Sequence, residues 1–330
     1  MTQDKCSLSS LFMQWRGRLA VGFLFGIIVT CSMALYADID QLHHTLAFPL
    51  WNKMLLSLFL VCLGYLGRFW KWQLYMRELT IAMPWQDSAR IFFSGLSMTL
   101  TPGKTGEVIR AYLLLRTHNI NFYRSAPTIL AERITDLSAM LVLMLAGVWQ
   151  VEQFYIVFLV GGGIVASFLM LISRKSIFER VLSTIAALPL LGKWMVPIKT
   201  MYDSSYILLH GCLLVHTIII SIGAWFMECL ALYFILQGLG QMLPLSWVVF
   251  AFSASSIMGG LSMLPGGLGA AEVSLAGLLM MAGLERPLAI GATVLARFGT
   301  LWFGWLLGVL VLGLSVRYFR KCEVNSTYEP

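Results

Sequence analysis

Leu261-Ser262-Met263-Leu264-Pro265-Gly266-Gly267-Leu268-Gly269-Ala270-Ala271-Glu272-Val273 is the stretch on which the fold turns. It closes a run from Cys229 to Ala271 that holds no charged residue. That run is longer than one helical crossing of a bilayer, which takes about 20 mostly apolar residues. Pro244 and Pro265-Gly266-Gly267 cut it into pieces. Proline removes a backbone donor and glycine permits a tight turn, so a break here frees backbone amides within an apolar segment. At membrane depth such a break is tolerated only where it lines a cavity or is buried in protein. Ser246 to Leu284 therefore reads as a hairpin that enters and leaves the membrane on one side, not as a plain crossing.

A second stretch follows the same order. Leu96-Ser97-Met98, Leu100, Pro102-Gly103, Gly106 and Glu107-Val108 run parallel to Leu261-Ser262-Met263, Leu264, Pro265-Gly266, Gly269 and Glu272-Val273. An arginine follows each glutamate on the next span, Arg133 lying 26 residues after Glu107 and Arg297 lying 25 after Glu272. The shared order argues for an internal duplication, with Ser88 to Arg116 as the first hairpin.

The composition of the 330 residues fits this reading: 58% are hydrophobic and only 12% carry charge. Soluble domains of this length carry roughly twice that charged fraction, near 25%, and at a mean hydropathy of +0.80 they would face water with too much apolar surface. A disordered chain needs the opposite balance, and six cysteines over this length are too sparse for a disulfide scaffold. Apolar runs place full spans at Leu19 to Tyr36, Pro49 to Gly67, Ala126 to Val151, Gln153 to Ser173, Ser204 to Leu239 and Pro287 to Val316. The expected fold is all-α, a polytopic membrane protein with six full spans and two re-entrant hairpins in one domain, residues 1–330. Its inverted-repeat halves cover about residues 50–172 and 206–316. Between them, 174–205 is expected to be a cytoplasmic connector, with Phe178, Val181, Leu182 and Ile185 spaced for an amphipathic helix.

The net charge of +7 has three readings in principle, namely nucleic acid, anionic lipid or topology. With the amino terminus in the cytoplasm, 19 of the 23 Lys and Arg fall in inner segments, among them Arg68, Lys71, Arg77, Arg110 and Arg124. Lys53 and Arg286 fall outside, and Arg133 and Arg297 lie in spans. Most of the excess thus encodes orientation, and no nucleic acid is needed to explain it. Both termini are expected inside, in a bacterial inner membrane. The two hairpins then enter from opposite faces, the arrangement in which transporters bind substrate near the midplane where broken helices meet.

Charges inside the spans carry the chemistry. Each costs roughly 2.5 to 3.5 kcal/mol at a helix centre, so Lys104, Glu107, Arg110, Glu132, Arg133, Asp136, Glu228, Glu272 and Arg297 need a reason. Broken helices add amino termini of partial positive charge, so an anion is the natural ligand. Arg133 and Arg297 are the expected phosphate contacts, with Lys104 and Arg110 as entry contacts. Glu107 and Glu272 would orient the arginines, and Gly103, Gly106, Gly266, Gly267 and Gly269 would offer backbone amides. Glu107 with Arg110, and Glu132 with Asp136, have helical spacing. A purely structural role, each glutamate neutralising its arginine, is compatible with ligand binding, because a paired guanidinium keeps spare donors. No catalytic residue, metal or cofactor is expected. Gly103-Lys104-Thr105 lacks the first glycine of a phosphate loop, and His210 and His216 are off helical ligand spacing. Gly22 with Gly26, and Gly304 with Gly308, offer faces for close helix approach.

At these residues the chain resembles a known family. Leu264 to Glu272, then Gly283-Leu284, then Ala296-Arg297 before an aromatic run ending at Trp305, look like the lysylphosphatidylglycerol synthase transmembrane region family. Pro102 to Glu107 and Glu132-Arg133-Ile134-Thr135-Asp136 match it in the earlier half. The resemblance implies the flippase-like membrane part of bacterial multiple peptide resistance factors or of their stand-alone relatives. It therefore implies translocation of an anionic phospholipid or lipid-linked headgroup across the membrane. The chain ends at Pro330 without a soluble aminoacyl transferase domain, so transport is expected in place of lipid synthesis. The partners expected are anionic phospholipid or polyprenyl-phosphate lipid, with a second copy of the chain and a separate lipid-modifying enzyme also considered. Two other readings stay open: a membrane-embedded transferase using Glu132 and Asp136 on a polyprenyl-linked substrate, and an ion-coupled carrier of a small anion.

Overall fold

Phe48–Glu78 forms a helix of 31 residues, here α1, which at 1.5 Å per residue is about 46 Å long. Its two faces explain its place. Trp51, Leu55, Phe59, Leu66 and Trp70 recur at near-helical spacing and are exposed, while Met54, Ser57, Val61, Tyr65, Trp72 and Tyr75 form a buried seam. A broad exposed apolar stripe is what a lipid-facing helix presents. The computed structural model describes residues 48–101, 108–148 and 195–326, with scattered helical residues between 17 and 32 and between 156 and 167.

The described residues are helical throughout. After α1 come α2 (Trp85–Gly95), a 3₁₀ turn (Leu96–Met98), α3 (Ile109–His118), α4 (Phe122–Ser125) and α5 (Pro127–Val148). The second part has α6 (Met195–Leu208), α7 (Gly211–Gly238), α8 (Leu245–Leu261), a 3₁₀ turn (Pro265–Gly267), α9 (Ala270–Met281) and α10 (Arg286–Arg297). A π-helical turn (Phe298–Trp302) then joins α10 to α11 (Phe303–Ser326). Trp51–Glu78, Gly211–Gly238 and Arg286–Phe319 are long and apolar enough to cross a membrane, and Leu245–Leu261 and Pro265–Met281 are shorter apolar helices.

α1 and α7 run antiparallel along much of their length. Lys53 Nζ donates to Gln237 Oε1 at 3.0 Å and Ser57 Oγ to the Ala231 carbonyl at 2.9 Å. Further along, a Cβ on Gly64 would lie 3.1 Å from the Ala224 carbonyl oxygen. The two helices also end alike. Ile81 N donates to Met76 O at 2.9 Å beyond Thr80 at φ 51, and Gln241 N donates to Leu236 O at 2.9 Å beyond Gly240 at φ 73. Pro84 and Pro244 then start the next helices with φ/ψ of −56/138 and −57/135. Ser97 Oγ donates to Ser94 O and Ser262 Oγ to Gly259 O, both at 2.7 Å, where α2 and α8 finish. The packing matches as well: α5 lies on α8, and α11 lies on α2 and its 3₁₀ turn. A Cβ on Gly147 of α5 would come within 2.5 Å of Ser246 O on α8, and one on Gly308 of α11 within 2.5 Å of the Leu96 carbonyl carbon. Gly304, the other glycine of that face, packs against the Tyr65 hydroxyl.

Several expected boundaries move. Arg68 and Lys71, expected in an inner loop, lie inside α1, because the helix continues past Gly67 to Glu78. The span expected from Ser204 begins at Gly211, since Ser204 and Ser205 are buried within α6 and the chain breaks at Leu209-His210 before Gly211 at φ +63. α5 starts at Pro127 and carries Glu132, Arg133 and Asp136, as the expected start near Ala126 requires. The expected spans at 19–36 and 153–173 are described only at scattered helical residues, and the first hairpin tip at 102–107 and the connector residues 174–194 lie outside the described residues.

Candidate functional site

The second hairpin is built by its glycines. Gly266, Gly267 and Gly269 have φ of 63, 69 and 88, values that residues with a Cβ rarely adopt. A Cβ on Gly267 would also meet the Gly259 backbone at 3.0 Å, and one on Gly259 would meet the Ala271 Cβ at 2.8 Å. The end of α8 thus packs directly on the turn and on the first residues of α9. The first amides of α9 have no acceptor within their own helix.

Glu272 and Arg297 lock this turn. Glu272 Oε2 accepts from Gly269 N at 2.6 Å, and its Oε1 accepts from Arg297 Nε at 2.5 Å. Arg297 Nη2 donates to the Gly266 carbonyl at 2.7 Å. One guanidinium therefore holds both the tip of the hairpin and the carboxylate at its base, and Nη1 takes part in neither bond. The Arg297 side chain retains 18% of its exposure against 4% for Glu272. Around it Leu261, Met263, Leu264, Val273 and Phe298 are exposed. A cation with a spare donor, at a glycine turn ringed by open apolar side chains, suits a ligand with an anionic head and apolar chains.

The π turn follows Arg297 immediately. At its end the Phe303 amide donates to the Thr300 carbonyl, which also accepts from the Tyr65 hydroxyl of α1 at 2.7 Å. Tyr65 thereby ties α1 to the turn after Arg297.

Of the first hairpin's expected contacts, Gly103, Lys104, Gly106 and Glu107 lie outside the described residues. Arg110, the expected entry contact, is described. It is buried, and Nη1 and Nη2 donate to Glu132 Oε1 and Oε2 at 2.9 and 2.7 Å. Its guanidinium lies 5.2 Å from the Trp72 ring and 5.3 Å from Phe92. Gly95 makes room, since a Cβ there would lie 2.6 Å from Arg110 Cγ. Glu132 and Asp136, a close pair by helical spacing, are each bonded to a different cation. Asp136 Oδ1 accepts from Lys71 Nζ at 2.6 Å and from Ser221 Oγ at 3.0 Å. Arg133 is half-buried beside them and within electrostatic reach of Asp136.

Glu228 of α7 accepts from Arg68 Nη2 at 2.5 Å, and that guanidinium lies 4.6 Å from the Trp225 ring. Sequence reading missed Arg68, Lys71, Tyr65 and Ser221 as partners. The signal for them was the seam at 61, 65, 68, 72 and 75, whose helical spacing runs through the charges. No group of three or more His, Cys, Asp or Glu that could hold a metal occurs among the described residues.

Residues 19–308 match the family described as lysylphosphatidylglycerol synthase TM region. A UPF0104 membrane protein of Pyrococcus horikoshii is 26% identical over 92% of this chain and 98% of its own length. One from Methanothermobacter thermautotrophicus is 25% identical over 93% and 94%, and one from Methanocaldococcus jannaschii is 26% identical over 70% and 98%. No solved structure matches the chain. With the match covering most of its length, the chain belongs to the lysylphosphatidylglycerol synthase transmembrane region family.

Proposed function

We propose that the protein moves an anionic phospholipid, or a lipid-linked headgroup of like charge, between the leaflets of the cell's inner membrane. The observation that carries this reading is Arg297, fixed by Glu272 and Gly266 at a broken helix, with Nη1 outside those bonds and exposed apolar side chains on the turn around it. The phosphate would meet Arg297 and the first amides of α9, and the acyl chains would lie on Leu261, Leu264 and Phe298. The like endings of α1 and α7, their antiparallel course and the exchanged packing of α5 on α8 and α11 on α2 support an inverted repeat of two halves. In such a repeat the halves rock about a central site. Arg133 and the first hairpin would take the equivalent part on the opposite face, with both termini in the cytoplasm.

The test is exchange of labelled phosphatidylglycerol between leaflets of vesicles holding the purified protein. Wild type should accelerate exchange, and Arg297→Ala should remove the acceleration while eluting as a monodisperse protein with unchanged helix content. Arg297→Lys, which keeps the charge but not the fork of donors, should fall between them. Undiminished exchange in folded Arg297→Ala would overturn the assignment. Uptake of soluble phosphate in place of lipid would move it to a small-anion carrier.

A further inference from the structure

The most enclosed cation among the described residues lies away from the second hairpin. Lys71 is 1% exposed, and its Nζ reaches Asp136 Oδ1 at 2.6 Å, Ser221 Oγ at 2.7 Å and Thr135 Oγ1 at 3.3 Å. Three ammonium hydrogens thus face three oxygens from α5 and α7. Asp136 uses one oxygen for all of this: Oδ1 takes both Lys71 and Ser221, and no described donor reaches Oδ2. Its side chain keeps 9% of its exposure, so the carboxylate is enclosed but not sealed. The site lies about 10 to 15 Å along α1, α5 and α7 from their nearer ends, at 1.5 Å per residue.

A buried ion pair is poor evidence for stability, because apolar side chains of like volume usually pack as well. Inside a membrane domain an enclosed ionisable pair points instead to a functional site. Its position adds to this. Lys71–Ser221 and the neighbouring Arg68–Glu228 pair both bridge α1 to α7, so a change of charge at Asp136 acts on the contact between the two parts of the molecule. Among the described residues, the charged or titratable groups facing Asp136 besides Lys71 are Arg68 and Tyr75 from α1 and Arg133 from α5, with Glu132 of α5 beside Tyr75 and Glu228 of α7 beside Arg68. Glu132 and Glu228 are held by Arg110 and Arg68. α8 carries no charged residue, and Lys199 and Asp203 of α6 are exposed.

We propose that Asp136 is a proton-carrying site that couples lipid movement to the transmembrane proton gradient, with Lys71 as its fixed counter-ion. This rests on the lipid-transport reading for what is moved, not for the titration itself. A proton from the acidic side adds to Oδ2, forming one O–H bond and discharging the carboxylate. Lys71 keeps its bonds to Ser221 and Thr135 but loses its counter-charge, which favours a different seating of α1 on α5 and α7. In that seating the O–H bond breaks toward the other side, one proton leaves, and the Lys71–Asp136 pair forms again. One proton enters and one leaves per cycle, and no electron moves.

Two measurements decide it. In vesicles of phosphatidylethanolamine and phosphatidylglycerol, an imposed pH gradient should change the wild-type rate of labelled phosphatidylglycerol exchange several-fold. A protonophore should remove that change, and in Asp136→Asn the ratio of rates with and without gradient should fall to one. Equal wild-type rates with and without gradient would overturn the coupling. Infrared difference spectra between neutral and acidic pH should show a protonated-carboxyl band in wild type that is missing in Asp136→Asn. Identical bands in the two would overturn the site whatever the lipid assay shows, whereas absence of lipid exchange with the band present would sink only the lipid reading. If Asp136→Asn does not fold, the neutral pair Lys71→Met with Asp136→Leu serves in both measurements.

Discussion

Glu272 and Arg297 should behave as one energetic unit, and a double-mutant cycle measures that directly. Glu272 accepts two bonds, from Gly269 N at 2.6 Å and Arg297 Nε at 2.5 Å, and is nearly fully buried. Hydrogen bonds to charged groups contribute about 1.5–3 kcal/mol each, and removing one partner of a buried pair costs about 3–5 kcal/mol because the other charge is stranded. Glu272→Leu should therefore destabilise the protein by about 3–5 kcal/mol. Arg297→Met should cost somewhat less, about 2–4 kcal/mol, since Arg297 retains some exposure and Glu272 keeps its Gly269 donor. In the double variant the stranded-charge cost is counted in neither half, so it should lose about 1.5–3 kcal/mol less than the sum of the singles. The assay is unfolding of the purified proteins by sodium dodecyl sulfate in mixed micelles, followed by tryptophan fluorescence. Additivity within about 0.5 kcal/mol, the range found for independent sites, would refute the reasoning.

Three further outcomes follow from the packing. Gly308→Leu should destabilise the protein by about 2 kcal/mol or more, the usual scale of overpacking, because the added Cβ meets the Leu96-Ser97 backbone and backbone cannot swing aside; a neutral effect in the same unfolding assay would contradict the contact. Tyr65→Phe should cost about 1 kcal/mol, one neutral hydrogen bond, and should speed amide exchange across Phe298–Trp302 more than elsewhere, since the Thr300 carbonyl keeps only its backbone donor and the turn loses its tie to α1; uniform exchange would show that Tyr65 does not hold the π turn. A cysteine cross-link between positions 53 and 237, at one end of the α1–α7 contact, should slow lipid exchange and recover on reduction; unaffected exchange would mean that these helices do not move relative to one another.

The second hairpin was legible because its signals are local. A Pro-Gly-Gly turn in an apolar run, with a glutamate just inside the next helix and an arginine one span later, leaves few alternatives for Glu272 but Arg297. The Gly304 and Gly308 face was legible for the same reason, although its partners, the Tyr65 hydroxyl and the Leu96-Ser97 backbone, were not. Arg68 and Lys71 were misplaced because hydropathy treats a charge as the end of a span, whereas α1 carries both inward along a seam that Trp72 and Tyr75 continue. The bond between Arg110 and Glu132 was not legible, because helical spacing points only to neighbours three and four residues away. A buried guanidinium takes the carboxylate that can meet its fork, here one on another helix. The break between α6 and α7 has no apolar signal at all, since Leu208 and Leu209 continue the run and only the backbone at Gly211 departs from it.

The pairing of Arg68, Lys71 and Arg110 sharpens what the net charge of +7 does. Each of these cations, like Arg297, meets a carboxylate of another helix, so the four buried pairs are neutral and the whole excess rests on the remaining residues. Those residues include Arg77 at the end of α1, Arg116 at the end of α3 and Arg124 of α4, near the helix ends where the bias toward the inner side operates. Carboxylates count little in that bias, so the expected orientation rests on these residues and not on the three buried cations. The paired charges answer to a different constraint. At a helix centre an unpaired one would cost roughly 2.5 to 3.5 kcal/mol on insertion scales, and each of these four pairs joins two different helices, so each is made only when the helices assemble. A movement of α1 against α7 must work through Arg68–Glu228 and Lys71–Ser221, the places where neutralising one partner changes the balance most.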